Sequence, residues 1–409
     1  MNIFKIIYCR LYQSILRFLK LFIKYKQPTV FYHIEDIKMI LASNNLKKPL
    51  IICGKNLLKN GQIKSITNVT DCFIFSNVKP NPDSDIVYQA FYAYKSNRCD
   101  CVISIGGGSS IDCGKATIAL LANKNKDLYQ LKGLLKVVRK TVPFIAISTT
   151  SGSGSEATIA SVIVDSKTKE KYVISDYRLI PSYVILDYKL TFSLSSYQTV
   201  YCGIDALTHS LEAYLGKAIN NHYKQIAKQA IKDILTYLPI AFNNPKDHQA
   251  REKLLLASFN SGVVFTNCYV GYVHAISHSL SGKYDIPHGK TNAIILPIVL
   301  KSYGSSINKK IKELLVYLNF VDDSFPIEKA ADYFIEYLNN LNNSYGIENK
   351  IYQLKEDDID YLAQQADKEA NPLYPVIKLQ DKNQLKSIKE NLLSASSIKK
   401  RIFHLSMLI

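Results

Sequence analysis

The stretch "ISIGGGSSIDCGKA" at residues 103–116 joins a strand-like apolar run to a probable helix through three consecutive glycines, which include Gly107 and Gly108. Consecutive glycines let the backbone come close to a ligand. Ser109 and the N–H groups of a helix start can then hold a pyrophosphate. The match to the G-x-G-x-x-G fingerprint fails at its last position, where Ile111 stands. A single turn of this kind is more often structural than ligand-binding.

A second turn of similar composition favours a ligand-binding role for the pair of turns. The segment "AISTTSGSGSEAT" at residues 146–158 also follows an apolar run and is rich in glycine and hydroxyl groups. Two such turns at the carboxyl ends of parallel strands form a crevice that suits a dinucleotide. For hydroxyls such as Thr149, ordinary turn and capping chemistry is the alternative interpretation.

The chain around these turns alternates between short apolar runs and helix-like segments up to about residue 190. The apolar runs that predict buried strands are "PLIIC" (49–53), "DCFIFS" (71–76), "DCVISIG" (100–106), "PFIAIS" (143–148) and "SYVILD" (182–187). This alternation predicts an α/β dinucleotide-binding domain with a Rossmann-like parallel sheet at residues 29–190. Helical periodicity after residue 190 predicts an all-α C-terminal domain at residues 191–409.

The N-terminal residues 1–28 form a separate predicted element, a basic amphipathic helix. Residues 1–26 contain no acidic side chain, and apolar residues recur every three or four positions. Charges interrupt the segment too often for a membrane span, and no small-residue cleavage site indicates a signal peptide. Two interpretations stay open: the helix packs on the body or a partner subunit, or residues 1–26 lie peripherally on an anionic membrane.

The composition narrows the class of protein. A 409-residue chain that is 47% hydrophobic can bury a large core. Fifty-one basic and 34 acidic residues give a net charge of +17, but no arginine-rich block stands out. We interpret the charge as solvated surface and expect no nucleic-acid partner. The eight cysteines lack CxxC spacing, which indicates reduced thiols in a cytoplasmic protein.

Histidines and one aspartate in the second half have the spacing of a metal site. Asp205 and His209 are four residues apart, as are His274 and His278, and His288 follows in "DIPHGK". On a helix, a spacing of four places both side chains on one face. A carboxylate and three imidazoles suit a divalent cation such as iron or zinc with an open position for a substrate oxygen. One of the histidines is then available for another role.

Several ordered motifs together resemble the iron-containing (group III) alcohol dehydrogenases. They are "GGGSSID", "TTSGSGSEAT", "GIDALTHSLEAY" and "HAISHSLSGKYDIPHGKTNAIILP", and the resemblance runs from about residue 30 to 375. It implies the dehydroquinate synthase-like fold of that family, in which the site lies in the cleft between the two domains. It also implies a homodimer.

The resemblance further implies roles for individual residues. The metal ligands are Asp205, His209, His274 and His288, while His278 matches a histidine near the nicotinamide and the substrate. The residues that match cofactor-binding positions are Gly54, Asn81, Gly107, Gly108, Ser109, Thr149, Thr158 and Lys171.

Two positions depart from the family pattern. Where many members end the first strand with an aspartate for the adenosine ribose, this chain has Gly54 followed by Lys55. Loss of a carboxylate removes repulsion against a 2′-phosphate, and a nearby cation attracts it. The departure therefore favours NADP(H) over NAD(H). Ala160 stands where relatives often have an asparagine, which removes one cofactor contact.

The motifs therefore predict a metal-dependent alcohol dehydrogenase or aldehyde reductase that transfers hydride between NAD(P)(H) and a small primary alcohol or aldehyde. Fe²⁺ is the favoured metal, with Zn²⁺ as the alternative. One other enzyme class is a glycerol-dehydrogenase-like zinc polyol dehydrogenase, and a lyase of the dehydroquinate-synthase kind fits the histidine pattern less well. A different class is a membrane-associated binding protein on a vestigial dehydrogenase fold, against which the complete ligand set argues.

Overall fold

A computed structural model describes the chain except for Leu21, Lys24, Lys124 and residues 394–409. The last part of the predicted domain at 191–409 thus lies outside the described residues. The chain forms two compact units. We call Tyr25–Ala206 with Asp233–Thr266 the sheet unit, and Met1–Lys24, Leu207–Lys232 and Asn267–Ile409 the helical unit.

The sheet unit contains a six-stranded sheet in which every neighbouring pair is parallel. Its strands, in spatial order, are β1 (Thr29–Phe31), β9 (Tyr183–Ile185), β6 (Phe144–Ser148), β4 (Cys101–Gly106), β2 (Pro49–Ile52) and β3 (Phe73–Phe75). All five strands predicted from apolar runs are present. The predicted parallel sheet is confirmed, and the sequence analysis missed only its short edge strand β1.

The central strands are buried on both faces, which explains their continuous apolar sequences. Every residue of β2, β4 and β6 is buried. Ile103 and Ile105 of β4 pack on one face with Ile37 and Ile66, which lie in two of the covering helices. The helix that follows the glycine turn lies against the same strands on the other face. A strand covered on both faces needs no polar alternation.

The same unit contains a second, three-stranded sheet that was not predicted from the sequence. Strand β8 (Lys171–Ser175) pairs in parallel with β5 (Gly133–Leu134) and antiparallel with β7 (Ala160–Val164). Both β7 and β8 are buried at alternate residues. These strands therefore lack the continuous apolar run that marks the central sheet.

The second half of the chain is helical, as its periodicity predicts. The α-helices are α1 (Ile3–Leu19), α2 (Ile37–Ser43), α3 (Lys55–Lys59), α4 (Lys64–Thr67), α5 (Ser84–Ser96), α6 (Gly108–Leu121), α7 (Ser196–Leu215), α8 (Asn221–Asn243), α9 (His248–Cys268), α10 (Tyr272–Tyr284), α11 (His288–Tyr303), α12 (Asn308–Tyr317), α13 (Ala330–Ser344), α14 (Ile359–Ala370) and α15 (Lys382–Glu390). In the helical unit, α10 packs on α11 and α14, and α14 packs on α15.

The predicted N-terminal helix is present as α1, but its orientation is unusual. Its polar side contacts the rest of the helical unit: Lys5 pairs with Asp367, and the Arg10 guanidinium donates to the carbonyl of Val376. Its large apolar side chains are mostly exposed. Among the described residues, no single helix is long and apolar enough to cross a bilayer. The joined pair α9 and α10 meets that test by length and composition.

Candidate active site

Helix α7 places Asp205 and His209 one turn apart, as their spacing of four predicts. Both side chains are buried, and so is His274 of α10. One carboxylate oxygen of Asp205 and one ring nitrogen from each histidine lie within 4.8 Å of one another. The rings of His209 and His274 stack with their centroids 4.3 Å apart.

This donor set fits a divalent transition metal. Metal–nitrogen and metal–oxygen bonds of about 2 Å allow one ion to reach all three groups. An anionic carboxylate and two neutral imidazoles are ligands that iron and zinc both accept. Burial of the three groups also removes competing water. The structure thus brings together three of the four predicted ligands.

His288, the fourth predicted ligand, begins helix α11 and lies beside this group. Its ring centroid is 5.4 Å from that of His274 and 4.9 Å from that of His278, on which it stacks. Nδ1 of His288 lies 3.0 Å from Ser277 Oγ, and Nε2 lies 3.3 Å from Asn292 Nδ2. His288 does not belong to the compact group of three. Its role as a ligand stays a prediction.

Glu212, which the sequence analysis missed, fixes the orientation of His274. Its carboxylate accepts a hydrogen bond from His274 Nδ1 at 2.6 Å and from the backbone N–H groups of Gly271 at 2.8 Å and Val273 at 2.7 Å. Because Nδ1 donates to the carboxylate, the lone pair of His274 is on Nε2. The same carboxylate caps the start of α10, where negative charge is stabilising. Glu212 lies three residues after His209, a spacing that could have indicated a shared helix face.

His278 has a carboxylate partner of its own. Its Nδ1 lies 2.7 Å from Oε1 of Glu369 on α14, and the Tyr374 hydroxyl donates to the same oxygen at 2.8 Å. The His278 side chain is partly exposed, unlike that of His274. An oriented imidazole with access to solvent can exchange protons with it.

The predicted cofactor residues of the sheet unit lie mainly at the carboxyl ends of parallel strands. Gly54 follows β2, Gly107 and Gly108 join β4 to α6, and Thr149 follows β6. Ser109 lies in the first turn of α6, whose N–H groups can hold a phosphate. Asn81, in the loop after β3, is exposed and has a φ of 53°.

The two glycine-rich turns pack directly against each other. A Cβ atom on Gly107 would lie 3.0 Å from a side-chain atom of Thr150, and one on Gly108 would lie 2.9 Å from Ser153 Oγ. Packing within the unit therefore favours glycine at both positions, as would the approach of a ligand. Both turns lie at one sheet edge because β4 and β6 are adjacent and parallel.

Lys115 is a buried residue that holds the second turn in place and that sequence reasoning missed. Its ammonium group donates to the carbonyls of Ser155 and Thr158 at 2.6 Å each, to Thr158 Oγ1 at 2.8 Å and to the carbonyl of Ala160 at 2.9 Å. Burial lowers the pKa of Lys115 and raises that of the neighbouring Asp112. Thr158 thus contacts Lys115, while Lys171 begins β8 in the second sheet.

Comparisons with known proteins identify the class that this fold and metal group define. The model of the iron-containing alcohol dehydrogenase family matches residues 30–188, and that of the C-terminal domain of the Fe-containing family matches residues 199–392. The chain belongs to the iron-containing alcohol dehydrogenase family. It is therefore a metal-dependent oxidoreductase that transfers hydride between a nicotinamide dinucleotide and an alcohol or aldehyde, as the sequence motifs predict.

Individual relatives cover most of the chain. It is 34% identical over 334 residues to the 1,3-propanediol dehydrogenase of Citrobacter freundii, which covers 80% of this chain and 86% of the relative. It is 33% identical to the NAD-dependent methanol dehydrogenase of Bacillus methanolicus, with 81% and 89% covered. Among solved structures, a 1,3-propanediol oxidoreductase superposes with a TM-score of 0.86 at 30% identity, covering 90% of this chain and 99% of the other.

Proposed function

We propose that this enzyme interconverts small primary alcohols and aldehydes at the group formed by Asp205, His209 and His274, with His288 as the fourth ligand. The observation that carries the proposal is the buried clustering of three predicted ligands within 4.8 Å. The proposed metal is Fe²⁺, with Zn²⁺ as the alternative. A divalent cation held there supplies Lewis acidity toward the substrate oxygen, and the nicotinamide supplies the hydride chemistry.

The protein's own groups orient the ligands and move the proton in this proposal. Glu212 keeps Nε2 of His274 unprotonated and directed away from the carboxylate. His278 donates through Nδ1 to Glu369, so Nε2 is the atom that accepts or returns the substrate proton. The partial exposure of His278 then connects that proton to solvent.

We propose that the enzyme prefers NADP(H) to NAD(H), because Gly54 leaves no carboxylate to repel a 2′-phosphate and Lys55 follows it. A Cβ at Gly54 would meet only the Val78 carbonyl, at an ordinary 3.5 Å, so packing alone does not require glycine there. The other residues of the proposed cofactor site are Gly107, Gly108, Ser109, Asn81, Thr149, Thr158 and Lys171. The relative from Bacillus methanolicus is named for NAD dependence, which makes the preference a feature to measure in this chain.

A homodimer and a cytoplasmic location complete the proposal. The dimer rests on the family resemblance. The location rests on eight free cysteines, most of them buried, which suit a reducing compartment. Molar mass from light scattering tests the dimer.

The function is tested by oxidation of NADPH and NADH with a panel of short aldehydes after reconstitution with Fe²⁺ or Zn²⁺. Aldehydes related to propanediol, methanol and lactaldehyde cover the substrates named for the relatives. We expect metal-dependent turnover with at least one of them. In the reverse direction, with NADP⁺ or NAD⁺ and a panel of diols and monoalcohols, turnover of diols alone with Zn²⁺ would favour the polyol dehydrogenase alternative.

A further inference from the structure

Helix α1 presents a continuous apolar side to the exterior. Its large side chains on that side are between 48% and 77% exposed and recur every three or four positions, which places them on one face. They are Ile3, Phe4, Ile7, Tyr8, Leu11, Ile15, Phe18 and Leu19. Phe22, just past the helix end, is 73% exposed. Contiguous exposed apolar surface of this extent marks an interaction site in soluble proteins.

The opposite side of α1 is fixed to the rest of the helical unit by polar contacts and by the fully buried Cys9. These contacts are Lys5 with Asp367, Arg10 with the carbonyls of Val376 and Ile377, Gln13 with the carbonyls of Pro372 and Tyr374, and Lys20 with the carbonyl of Asn267. Rotation of the helix to bury its apolar side would break all of them. The exposed face is therefore a stable part of this fold.

The exposed charged side chains among the described residues of 1–26 are positive. No acidic residue precedes Glu35, and both Arg17 and Lys26 are exposed. The polar side of α1 contacts residues within the segment 367–378. In that segment the carboxylates of Asp367 and Glu369 are paired with Lys5 and His278. Lys368 and Lys378 of the same segment are exposed.

We propose that the apolar side of α1 docks on an anionic lipid surface, with its aromatic and aliphatic side chains at the boundary of headgroups and acyl chains. The basic residues beside it complement anionic headgroups, as in other interfacial helices. A second copy of this chain is the competing occupant. Pairing two such faces would bring together like charges on chains of net charge +17, which opposes that arrangement.

The proposal is tested with the full chain and vesicles of phosphatidylcholine, alone or with about 30% phosphatidylglycerol, by co-sedimentation. The test variant is Leu11→Glu/Ile15→Glu. The matched control is Ile327→Glu/Tyr352→Glu, which adds the same two charges at exposed apolar positions elsewhere in the helical unit. Thermal midpoints and alcohol oxidation by all three proteins show that each is folded. Because dehydrogenase activity is a separate readout, failure of this proposal and failure of the proposed function are distinguishable.

We expect the wild type and the control to bind the anionic vesicles, with binding that weakens as salt increases. The variant in α1 should bind at least about tenfold more weakly than the control. Equal loss in both variants would show binding by charge alone and overturn the proposal. Absence of wild-type binding would also overturn it. So would a lower molar mass of the α1 variant with unchanged vesicle binding, which would assign the face to a second copy.

Discussion

The carboxylate of Glu212 allows a direct test of how this fold orients the predicted metal ligand His274. It accepts hydrogen bonds from His274 Nδ1 and from the N–H groups of Gly271 and Val273, all of them buried. Glu212→Ala removes all three acceptor contacts, while Glu212→Gln keeps one acceptor oxygen. The two substitutions therefore compare the loss of all three hydrogen bonds with a partial loss at the same position.

The structure sets the expected magnitudes. Each buried donor left without an acceptor costs about 1–3 kcal/mol, so Glu212→Ala should lower the free energy of unfolding by about 3 kcal/mol or more. Glu212→Gln should lower it by about 1–3 kcal/mol. Metal affinity should fall by about 10–100-fold in Glu212→Ala, because His274 loses the partner that fixes its tautomer and ring orientation, and by less in Glu212→Gln, whose remaining oxygen can accept from His274 Nδ1.

Unfolding by urea after removal of metal measures the stability loss, and competition with a chelator measures metal affinity. Glu313→Gln is the matched control, because Glu313 is a partly exposed carboxylate of the same unit that pairs with Lys224. Exposed pairs contribute at most about 1 kcal/mol, and Glu313 does not contact a predicted ligand. Metal affinity of Glu212→Ala within about twofold of the control would refute the positioning role.

Three further substitutions test the cofactor preference, the proton relay and a buried carboxylate. Gly54→Asp should lower the ratio of kcat/KM for NADPH over NADH by at least about tenfold, and an unchanged ratio would remove the argument for NADP(H). His278→Gln should lower kcat by about 100-fold or more while metal content stays at the wild-type level, and undiminished turnover would exclude the proton relay. Burial raises the pKa of Glu156 to about 7. The native state therefore keeps a proton on Glu156 that the unfolded chain releases at lower pH. Because of this difference, the free energy of unfolding falls as the pH rises toward that value. Glu156→Gln should therefore gain up to about 3 kcal/mol over the wild type between pH of about 5 and 8 in urea unfolding. A difference in the free energy of unfolding that does not change with pH would contradict the raised pKa of Glu156.

The fold was predictable where burial alone determines the sequence. The central strands β2, β4 and β6 are buried at every residue, so they read as short apolar runs between turns. Strand β1 has only three residues and an exposed first position, and β7 is buried at alternate residues. Neither pattern differs enough from a loop to be assigned without its pairing partner.

Helix α1 was predictable as a helix, but its orientation was not. Amphipathic periodicity states which residues share a face, and it does not state which face contacts the protein. Here Arg10 and Gln13 find backbone carbonyl acceptors in residues 372–377, and these polar contacts fix the helix by its hydrophilic side. Such acceptors more than 350 residues away along the chain leave no local signal in the sequence.

The clustering of Asp205, His209 and His274 was predictable because Asp205 and His209 stand at helical spacing and the family resemblance added His274. Its supporting residues were not, because each acts through a distant partner. Glu212 contacts His274 from 62 residues away, and Glu369 contacts His278 from 91 residues away. The spacing of Glu212 from His209 indicates a shared helix face, but it does not show that the carboxylate contacts His274, and Glu369 has no such signal.

The central claim is that His209 and its neighbours hold the metal on which hydride transfer depends. Metal content and aldehyde-dependent NAD(P)H oxidation should be measured together in His209→Ala and in His222→Ala, a control that removes an exposed histidine of the same unit. We predict that His209→Ala loses both bound metal and turnover, by about 100-fold or more in rate, while His222→Ala keeps both. Full turnover in metal-free His209→Ala would contradict the assignment.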